Sequence, residues 1–382
     1  MDNIYVAGIG QVPVRENWNK SLKELAGEAA LLALGDADLG YPEALFAGNM
    51  MSGSANKQIQ LGAQIADWLG FHHRAALSIE SACGSGAAAF RAAVMAIGSG
   101  EIATALVIGV EKMTDSPSVE ITSQLATAAD AELESEAGIS FVALNALIMQ
   151  RYMFEYGWKT TDFAAFSINA HANGVHNPYA RFQDAITRKS FETAGIVCDP
   201  INLLDASPIG DGAAALLLTS DPARLKHRRV KVVASSAATD TLSIQHRKQP
   251  TWLCAAEASS KAAYSQTGFT PNSIDFFEYH DAFSIMAALS LEASGFCSPG
   301  EGPKLANDGS IKLTGRIPVA TMGGLKARGH PVGATGAYQL VEVTQQLREL
   351  AGINQVEGAK VGMAQNIGGS GSNVITHILS LE

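Results

Sequence analysis

One cysteine in this sequence stands where a thiol can act as a nucleophile. Cys83 lies in ESACGSG, between an apolar, strand-like segment (75–81) and a helix-like run of small residues (83–100). The exposed amides and the dipole at a helix N-terminus favour a thiolate and stabilise negative charge beside it. Gly84 and Gly86 allow a sharp turn and the close approach of a substrate. The pattern therefore indicates a reactive cysteine rather than a small buried one that packs like alanine.

A histidine in a second glycine-rich segment is the matching candidate for a base. His330 lies in GGLKARGHPVGATG (323–336) and is followed by Pro331, which suits a helix start or a tight turn. A histidine there can deprotonate a thiol and later donate to a developing oxyanion. Lys326 and Arg328 add local positive charge. The segment is equally consistent with a turn in which His330 only hydrogen-bonds the backbone.

Two further segments could contribute to the same chemistry. EYHDAFS (278–284) follows a strand-like segment and contains His280 and Asp281, and we expect Asp281 to cap the next helix. QNIGGSG (365–371) is either a simple turn between two closing strands or a source of backbone amides for an oxyanion. The sequence contains neither a GxxxxGK[ST] loop nor a GxGxxG fingerprint, which argues against phosphoryl transfer and NAD chemistry.

The elements that must position these segments alternate between strand-like and helix-like patterns, which predicts an α/β fold. The alternation is interrupted over about 114–208, and an insertion of this length usually carries a binding or lid function. It restarts after the charged stretch DPARLKHRR (221–229) in a similar order. We therefore expect two α/β units of like topology, 1–228 with Cys83 and 229–382 with the HDAF, GHP and NIGGSG motifs.

Composition restricts the class of protein. Of the 382 residues, 47% are hydrophobic and 17% charged, which predicts a globular chain with a substantial core. The net charge of −10 disfavours nonspecific binding to nucleic acid or anionic membranes. We expect no transmembrane helix, no secretory signal and a cytoplasmic location. The remaining cysteines are scattered and lack the context of the first, so we interpret them as packed, reduced thiols: Cys198, Cys254 and Cys297.

Together the motifs resemble the thiolase family. SACGSG, HDAF (280–283), GHPVGATG and NIGGSG (366–371) occur in family order, and the similarity extends over nearly the whole chain. HD-x-F, GGLKARGHP and HANGVHNPYARF (171–182) are closer to the sterol-carrier-protein-X-like and archaeal acetyl-CoA acetyltransferase branch. The resemblance implies a duplicated, five-layered αβαβα fold in a dimer or tetramer. It also implies ping-pong acyl transfer between coenzyme A thioesters, with no metal and no redox cofactor.

The resemblance also implies roles for individual residues. Cys83 matches the nucleophile that becomes acylated, and His330 matches the histidine that activates it and helps bind the thioester oxygen. His280 takes the place of a water-holding asparagine in one oxyanion site, and the amides of Cys83 and Gly368 match the other. Four further residues of these motifs are expected to bind substrate: Lys326, Arg328, Gly329 and Asn366.

One departure from the family concerns the α-carbon step. The second cysteine that relatives use for this proton is replaced by Asn366 in the final motif and by Ala282 in HDAF. Neither side chain can act as a base at neutral pH. A histidine has an ordinary pKa near 6.5, close to the operating pH, so we expect His280 to replace the cysteine.

Three functions fit these observations. The leading hypothesis is an acetyl-CoA acetyltransferase that forms or cleaves acetoacetyl-CoA or a longer 3-ketoacyl-CoA through acyl-Cys83. The second is a thiolase-like subunit that pairs with a small OB-fold/zinc-ribbon protein and performs aldol-type thioester cleavage or transfer to another acceptor. The third, a non-catalytic scaffold, has no need for both Cys83 and His330.

Overall fold

A computed structural model describes residues 3–382 of the chain. Ser21 caps the first helix as its sequence suggests: its hydroxyl accepts from the Glu24 amide, and the Glu24 carboxylate accepts from the Ser21 amide. The first part of the chain alternates strands and helices, which are β1 (Tyr5–Gln11), α1 (Leu22–Ala37), β2 (Ala44–Gly48), α2 (Leu61–Leu69), β3 (Ala75–Ile79), α3 (Ser85–Gly98) and β4 (Thr104–Glu111).

The region that interrupts the alternation is mainly helical and ends in a small hairpin. Its elements are α4 (Ser118–Ala126), α5 (Phe141–Tyr156), α6 (Ala164–Gly174), α7 (Arg188–Glu192), β5 (Ile196–Cys198) and β6 (Ile201–Asn202). Strand β7 (Gly212–Thr219) then returns to the main sheet between β4 and β1.

The second part of the chain resumes the alternation. Its elements are β8 (Val230–Thr239), α8 (Cys254–Thr267), β9 (Phe276–Glu278), α9 (Ser284–Ala293), α10 (Gly302–Asn307), α11 (Thr335–Leu347), β10 (Val361–Gly368) and β11 (Asn373–Leu381). The sequence pattern missed the short elements α7, α10, β5 and β6, because they are too brief to show a hydrophobic period, and it also missed α4.

The two parts carry matching strand orders. Over residues 3–382 the main sheet runs β3-β2-β4-β7-β1-β8-β11-β10-β9. Strands β1 and β8 pair over only two residue pairs, Tyr5 with Lys231 and Val6 with Val230. Outward from this junction, β1-β7-β4-β2 repeats as β8-β11-β10-β9, with β2–β4 and β9–β10 both parallel. Each part therefore repeats the same four-strand order, to which β3 adds an edge strand in the first sheet, and the two sheets meet edge to edge.

Three apolar cores fill the four interfaces between five layers, and the central core contacts both sheets. Helices α1 and α2 cover one face of the first sheet, and α3 and α11 pack on its other face. The same pair of helices covers the inner face of the second sheet, whose outer face packs on α8 and α9. This order confirms the five-layered αβαβα fold. Within residues 3–382, no helix is both long and apolar enough to cross a membrane.

Candidate active site

The two central helices start at the same place in the molecule. Cys83 lies in a 3-10 turn (Ala82–Gly84) that leads into α3, and His330 stands just before a similar turn (Val332–Ala334) that leads into α11. The helices cross closely at two glycines. A Cβ on Gly86 would lie 2.8 Å from the α11 backbone, and one on Gly336 would lie 2.4 Å from the α3 backbone. Small residues at the crossing therefore bring the nucleophile of one part to the histidine of the other.

The turn that presents Cys83 is held in an unusual backbone conformation. Ala82 has φ +49°, in the left-handed region, which costs roughly 1–2 kcal/mol for a residue with a Cβ. The Gly84 amide donates to the Ser81 carbonyl at 2.8 Å, and the Ser81 amide donates to Ser85 Oγ at 2.9 Å. Gly368 lies beside this turn, with its nitrogen 3.5 Å from the Cβ position of Gly84. The surrounding structure thus stabilises a sharp bend at the thiol.

Three side chains meet above this turn. The sulfur of Cys83 and one ring nitrogen each of His280 and His330 all lie within 4.8 Å of one another. The two imidazole rings are 5.2 Å apart and nearly perpendicular. All three residues are buried, with exposed fractions of 3%, 2% and 7%. The structure therefore brings together the three side chains that the sequence analysis assigned to the chemistry.

The resting state of Cys83 differs from the expectation. Burial and, to a smaller extent, the nearby Glu111 carboxylate raise the pKa of the thiol to about 12, against a smaller lowering by the backbone amide. The expected thiolate at rest is therefore wrong, because removal from water outweighs the helix N-terminus. Cys83 is a neutral thiol that must lose its proton when it reacts.

Glu111 is a functional candidate that the sequence analysis missed. It ends β4, and its carboxylate accepts from the amides of Met50 (2.9 Å), Met51 (3.0 Å) and Gly333 (2.9 Å). Burial raises the pKa of Glu111 to about 7, although these hydrogen bonds oppose the shift. A charge at the end of an otherwise uncharged strand was the available signal. Glu111 ties the start of α11 to the first sheet next to Cys83.

His330 is arranged to accept a proton. Its Nδ1 lies 2.7 Å from Thr335 Oγ1, and that hydroxyl lies 3.4 Å from the Pro331 carbonyl, to which it can donate. With Nδ1–H donating to Thr335, Nε2 keeps its lone pair. Burial, then His280 and Arg328, hold the pKa of His330 well below its usual value. His330 is therefore a neutral base at rest.

His280 is arranged in the opposite way. Its Nδ1 accepts from the Ile367 amide at 3.3 Å and faces Asn366 Nδ2 at 3.1 Å, so the proton of the neutral ring belongs on Nε2. Burial, with a smaller contribution from Arg328, lowers the pKa of His280 to about 3. The expectation that His280 takes the α-carbon proton is corrected on this ground, since Nε2 already carries one. The ring can donate to an oxygen between it and Cys83.

The expected substrate-binding charges lie elsewhere. Lys326 is 1% exposed and donates to the Asp205 carbonyl, and Arg328 is 0% exposed, pairs with Glu342 at 2.9 Å and stacks on an aromatic ring. Gly329 is also buried, and a Cβ on it would lie 2.6 Å from Val14. Their expected role in substrate binding is therefore corrected, because a ligand phosphate cannot reach these three buried residues. Asn366, the fourth, lies in the site and contacts His280.

Asp281 also has a different role from the one expected. Its carboxylate accepts from the Leu325 amide at 2.7 Å, and α9 begins without a side-chain cap. Asp281 thus holds the tight turn Gly324–Arg328, which runs into His330, rather than the helix that follows it in sequence. The HDAF segment therefore supports both histidines of the site.

An apolar cavity of about 180 Å³ opens onto Cys83 and His330. Part of its wall comes from the region that interrupts the α/β alternation. The largest apolar side chains that line it are Leu125, Phe141, Val142, Ile209, Phe283 and Val332. Its room and lining suit an acyl chain or an apolar linker rather than a phosphate.

Comparison with known proteins places these motifs in a family. Residues 7–222 match the family model "Thiolase, N-terminal domain", and residues 236–381 match "Thiolase C-terminal domain-like". The chain is 40% identical over 384 residues to an acetyl-CoA acetyltransferase of Methanothermobacter thermautotrophicus, covering 100% of both. It is 31% identical to human sterol carrier protein 2, covering 98% of this chain and 71% of that protein.

Solved structures with the same fold extend over the whole chain. The structure of an Ltp2-ChsH2(DUF35) aldolase contains a chain with a TM-score of 0.88 and 22% identity, covering 99% of this chain and 98% of that one. Human mitochondrial 3-ketoacyl-CoA thiolase has a TM-score of 0.76 and 17% identity, covering 100% and 99%. At these identities the structural matches establish the fold.

Proposed function

Since this chain belongs to the thiolase family, we propose that it is an acyl-CoA C-acyltransferase that forms or cleaves a 3-ketoacyl-CoA through an acyl-Cys83 intermediate. The name of the archaeal relatives makes acetoacetyl-CoA the first substrate to test. The observation that carries the proposal is the meeting of Cys83, His280 and His330 within 4.8 Å at the end of an apolar cavity.

Acylation follows from the proton positions. As the sulfur of Cys83 attacks the thioester carbonyl, its proton passes to Nε2 of His330. The carbonyl oxygen becomes an oxyanion and accepts a hydrogen bond from Nε2–H of His280. Collapse of the intermediate breaks the bond to the coenzyme A sulfur, which leaves with the proton held by His330. The enzyme is then acylated and His330 is neutral again.

The carbon–carbon step can use the same base. After acylation, Nε2 of His280 still carries its proton, and His330 regains its lone pair. His330 can then take the α-carbon proton of a second acetyl thioester, whose carbanion attacks the acyl group on Cys83. The departing sulfur receives the proton from His330, so one histidine closes the cycle without a second cysteine.

Peptide mass spectrometry after incubation with acetyl-CoA tests the proposal. We expect an acetyl adduct on the peptide that contains Cys83, and no adduct there in Cys83→Ala. Cys254, which the sequence predicted to be packed, is exposed in the structure and is an internal control for nonspecific acetylation. An adduct only on Cys254, or none at all, would overturn the proposal.

A second candidate keeps the fold and changes the reaction. Ala282 and Asn366 stand where relatives keep the second cysteine, which favours a thiolase-like subunit that works with a small OB-fold/zinc-ribbon partner in aldol-type cleavage or transfer to another acceptor. One structural neighbour is named an aldolase, and its name includes a DUF35 component. Acetoacetyl-CoA cleavage assayed with and without such a partner separates the two, since the leading function requires turnover by the chain alone.

The remaining assignments accompany the leading function as proposals. We propose coenzyme A thioesters as the substrates, with no metal or redox cofactor, in a cytoplasmic homodimer or homotetramer. Light scattering of the purified protein measures the oligomer, and turnover after treatment with a chelator tests the need for a metal.

A further inference from the structure

A glutamine on α11 has its orientation fixed by backbone carbonyls. Nε2 of Gln339 lies 3.3 Å from the Glu278 carbonyl, 2.8 Å from that of Tyr279 and 3.2 Å from that of Gln365. Carbonyl oxygens accept only, so the nitrogen must point toward them. Oε1 of Gln339 is therefore held on the opposite side as an acceptor.

That acceptor fixes the next side chain. Nδ2 of Asn366 lies 2.9 Å from Oε1 of Gln339 and 3.1 Å from Nδ1 of His280. Its two hydrogens serve these two neighbours. A flipped Asn366 amide would place its oxygen against Oε1 of Gln339, so that two acceptors would face each other. In its present position the buried Oδ1 of Asn366 has no hydrogen-bond partner. Asn366 therefore presents a donor to His280.

We propose that Gln339 and Asn366 are positioning residues that keep His280 protonated on Nε2, so that the cluster of Cys83, His280 and His330 serves proton transfer and binds zinc only weakly. The Ile367 amide, which also donates to Nδ1, acts in the same direction. This inference rests on the proposed function in one respect only, namely that Nε2–H of His280 donates to a thioester oxygen. The tautomer and the metal affinity are properties of the protein without substrate.

The zinc part follows from the ligand chemistry. A thiolate and two imidazoles are a ligand set that zinc accepts, and the three groups lie within 4.8 Å of one another. Each imidazole must offer a lone pair to the metal. With Nδ1 of His280 directed to Ile367 and Asn366, its remaining nitrogen carries hydrogen. Moving that hydrogen to Nδ1 would set it against two N–H donors.

Asn366→Asp tests the hydrogen-bond relay from Gln339 through Asn366 to His280 by its effect on metal affinity. A carboxylate at this position accepts from Nδ1–H, which is the arrangement that supports zinc-bound histidines and is worth about 10- to 100-fold in affinity. We expect zinc to bind Asn366→Asp at least about 10-fold more tightly than the wild type in calorimetric titration with zinc chloride. Asn354→Asp is the matched control, since this buried asparagine donates to the Asn173 carbonyl instead. It should keep wild-type affinity.

A second readout does not depend on the metal. Nitrogen NMR of histidine-labelled protein should show the wild-type His280 neutral, with hydrogen on Nε2. Gln339→Leu frees Asn366 to turn and should move part of this population to Nδ1. Gln365→Leu is the control, because this buried side chain bonds Ser260 on the other face of β10 and should leave the spectrum unchanged.

The outcomes separate the two proposals. Hydrogen on Nδ1 of wild-type His280 would overturn the relay, as would equal zinc affinity in the wild type and a folded Asn366→Asp. If Asn366→Asp fails to fold, the wild-type spectrum still decides. The expected spectrum and zinc affinities without any acyl-Cys83 would leave the relay in place and refute the proposed acyl transfer.

Discussion

The protonation state of Cys83 predicts how its alkylation depends on pH. A pKa of about 12 instead of the ordinary 9.0 lowers the thiolate fraction at pH 7 by about 10³-fold. The more basic thiolate is a better nucleophile, and a Brønsted coefficient of 0.4–0.5 raises its intrinsic rate constant by about 16- to 30-fold. We therefore expect iodoacetamide to modify folded Cys83 about 30- to 60-fold more slowly than the same cysteine in unfolded protein. The rate should rise about tenfold per pH unit from pH 7 to 10.

The assay is labelling at a series of pH values, followed by mass spectrometry of the peptide that contains Cys83. Urea-unfolded protein gives the reference rate for the same peptide. Limited access to the buried sulfur slows labelling by the same factor at every pH, so the slope carries the test. A rate that levels off below pH 8 would show a thiolate paired with a charged histidine at rest, and would refute the neutral pair described above.

Three other perturbations have defined outcomes. Cys83→Ser and His330→Ala should each lower the rate of coenzyme A release from the thioester by about 10³-fold or more. The double variant should be little slower than the slower single variant, and a loss equal to the product of both single losses would mean that the two residues do not act as a unit. Burial lowers the pKa of His377 to about 3 from 6.5, so its contribution to the free energy of unfolding is complete above pH 6.5 and is lost as the pH falls toward 3. His377→Phe should therefore reduce the pH dependence of the free energy of unfolding in urea by about 1.4 kcal/mol per pH unit, and an unchanged slope would contradict this. Gly86→Ala places a Cβ 2.8 Å from the α11 backbone and should destabilise by about 1–3 kcal/mol, whereas Gly98→Ala meets its nearest atom at 3.8 Å; equal unfolding midpoints would refute the close crossing.

Most elements of the two sheets could be predicted because they are long enough to show a hydrophobic period. The start of α1 is marked by a capping box formed by Ser21 and Glu24. Four motifs identified the reacting side chains through a resemblance. What could not be predicted is which distant group each polar side chain meets. Asp281 lies three residues before the start of α9, yet its partner is the Leu325 amide, forty-four residues away in the chain.

Burial was the other property that local sequence did not reveal. Lys326 and Arg328 are separated by one residue in a glycine-rich segment, which is typical of an exposed loop. Their burial depends on Asp205 and Glu342, which only the folded chain brings near. The thiol of Cys83 shows the same limit, because a helix N-terminus is visible in the sequence but the depth at which it is buried is not.

The origin of the nucleophile and its base in different parts of the chain has a consequence for synthesis on the ribosome. Cys83 emerges about 250 residues before His330, and Glu111 lacks its Gly333 partner until α11 begins to form. During that interval a nascent chain holds a cysteine with no base beside it. The thioester chemistry proposed for the site therefore starts only when α11 docks against α3, because Cys83 and His330 meet only then.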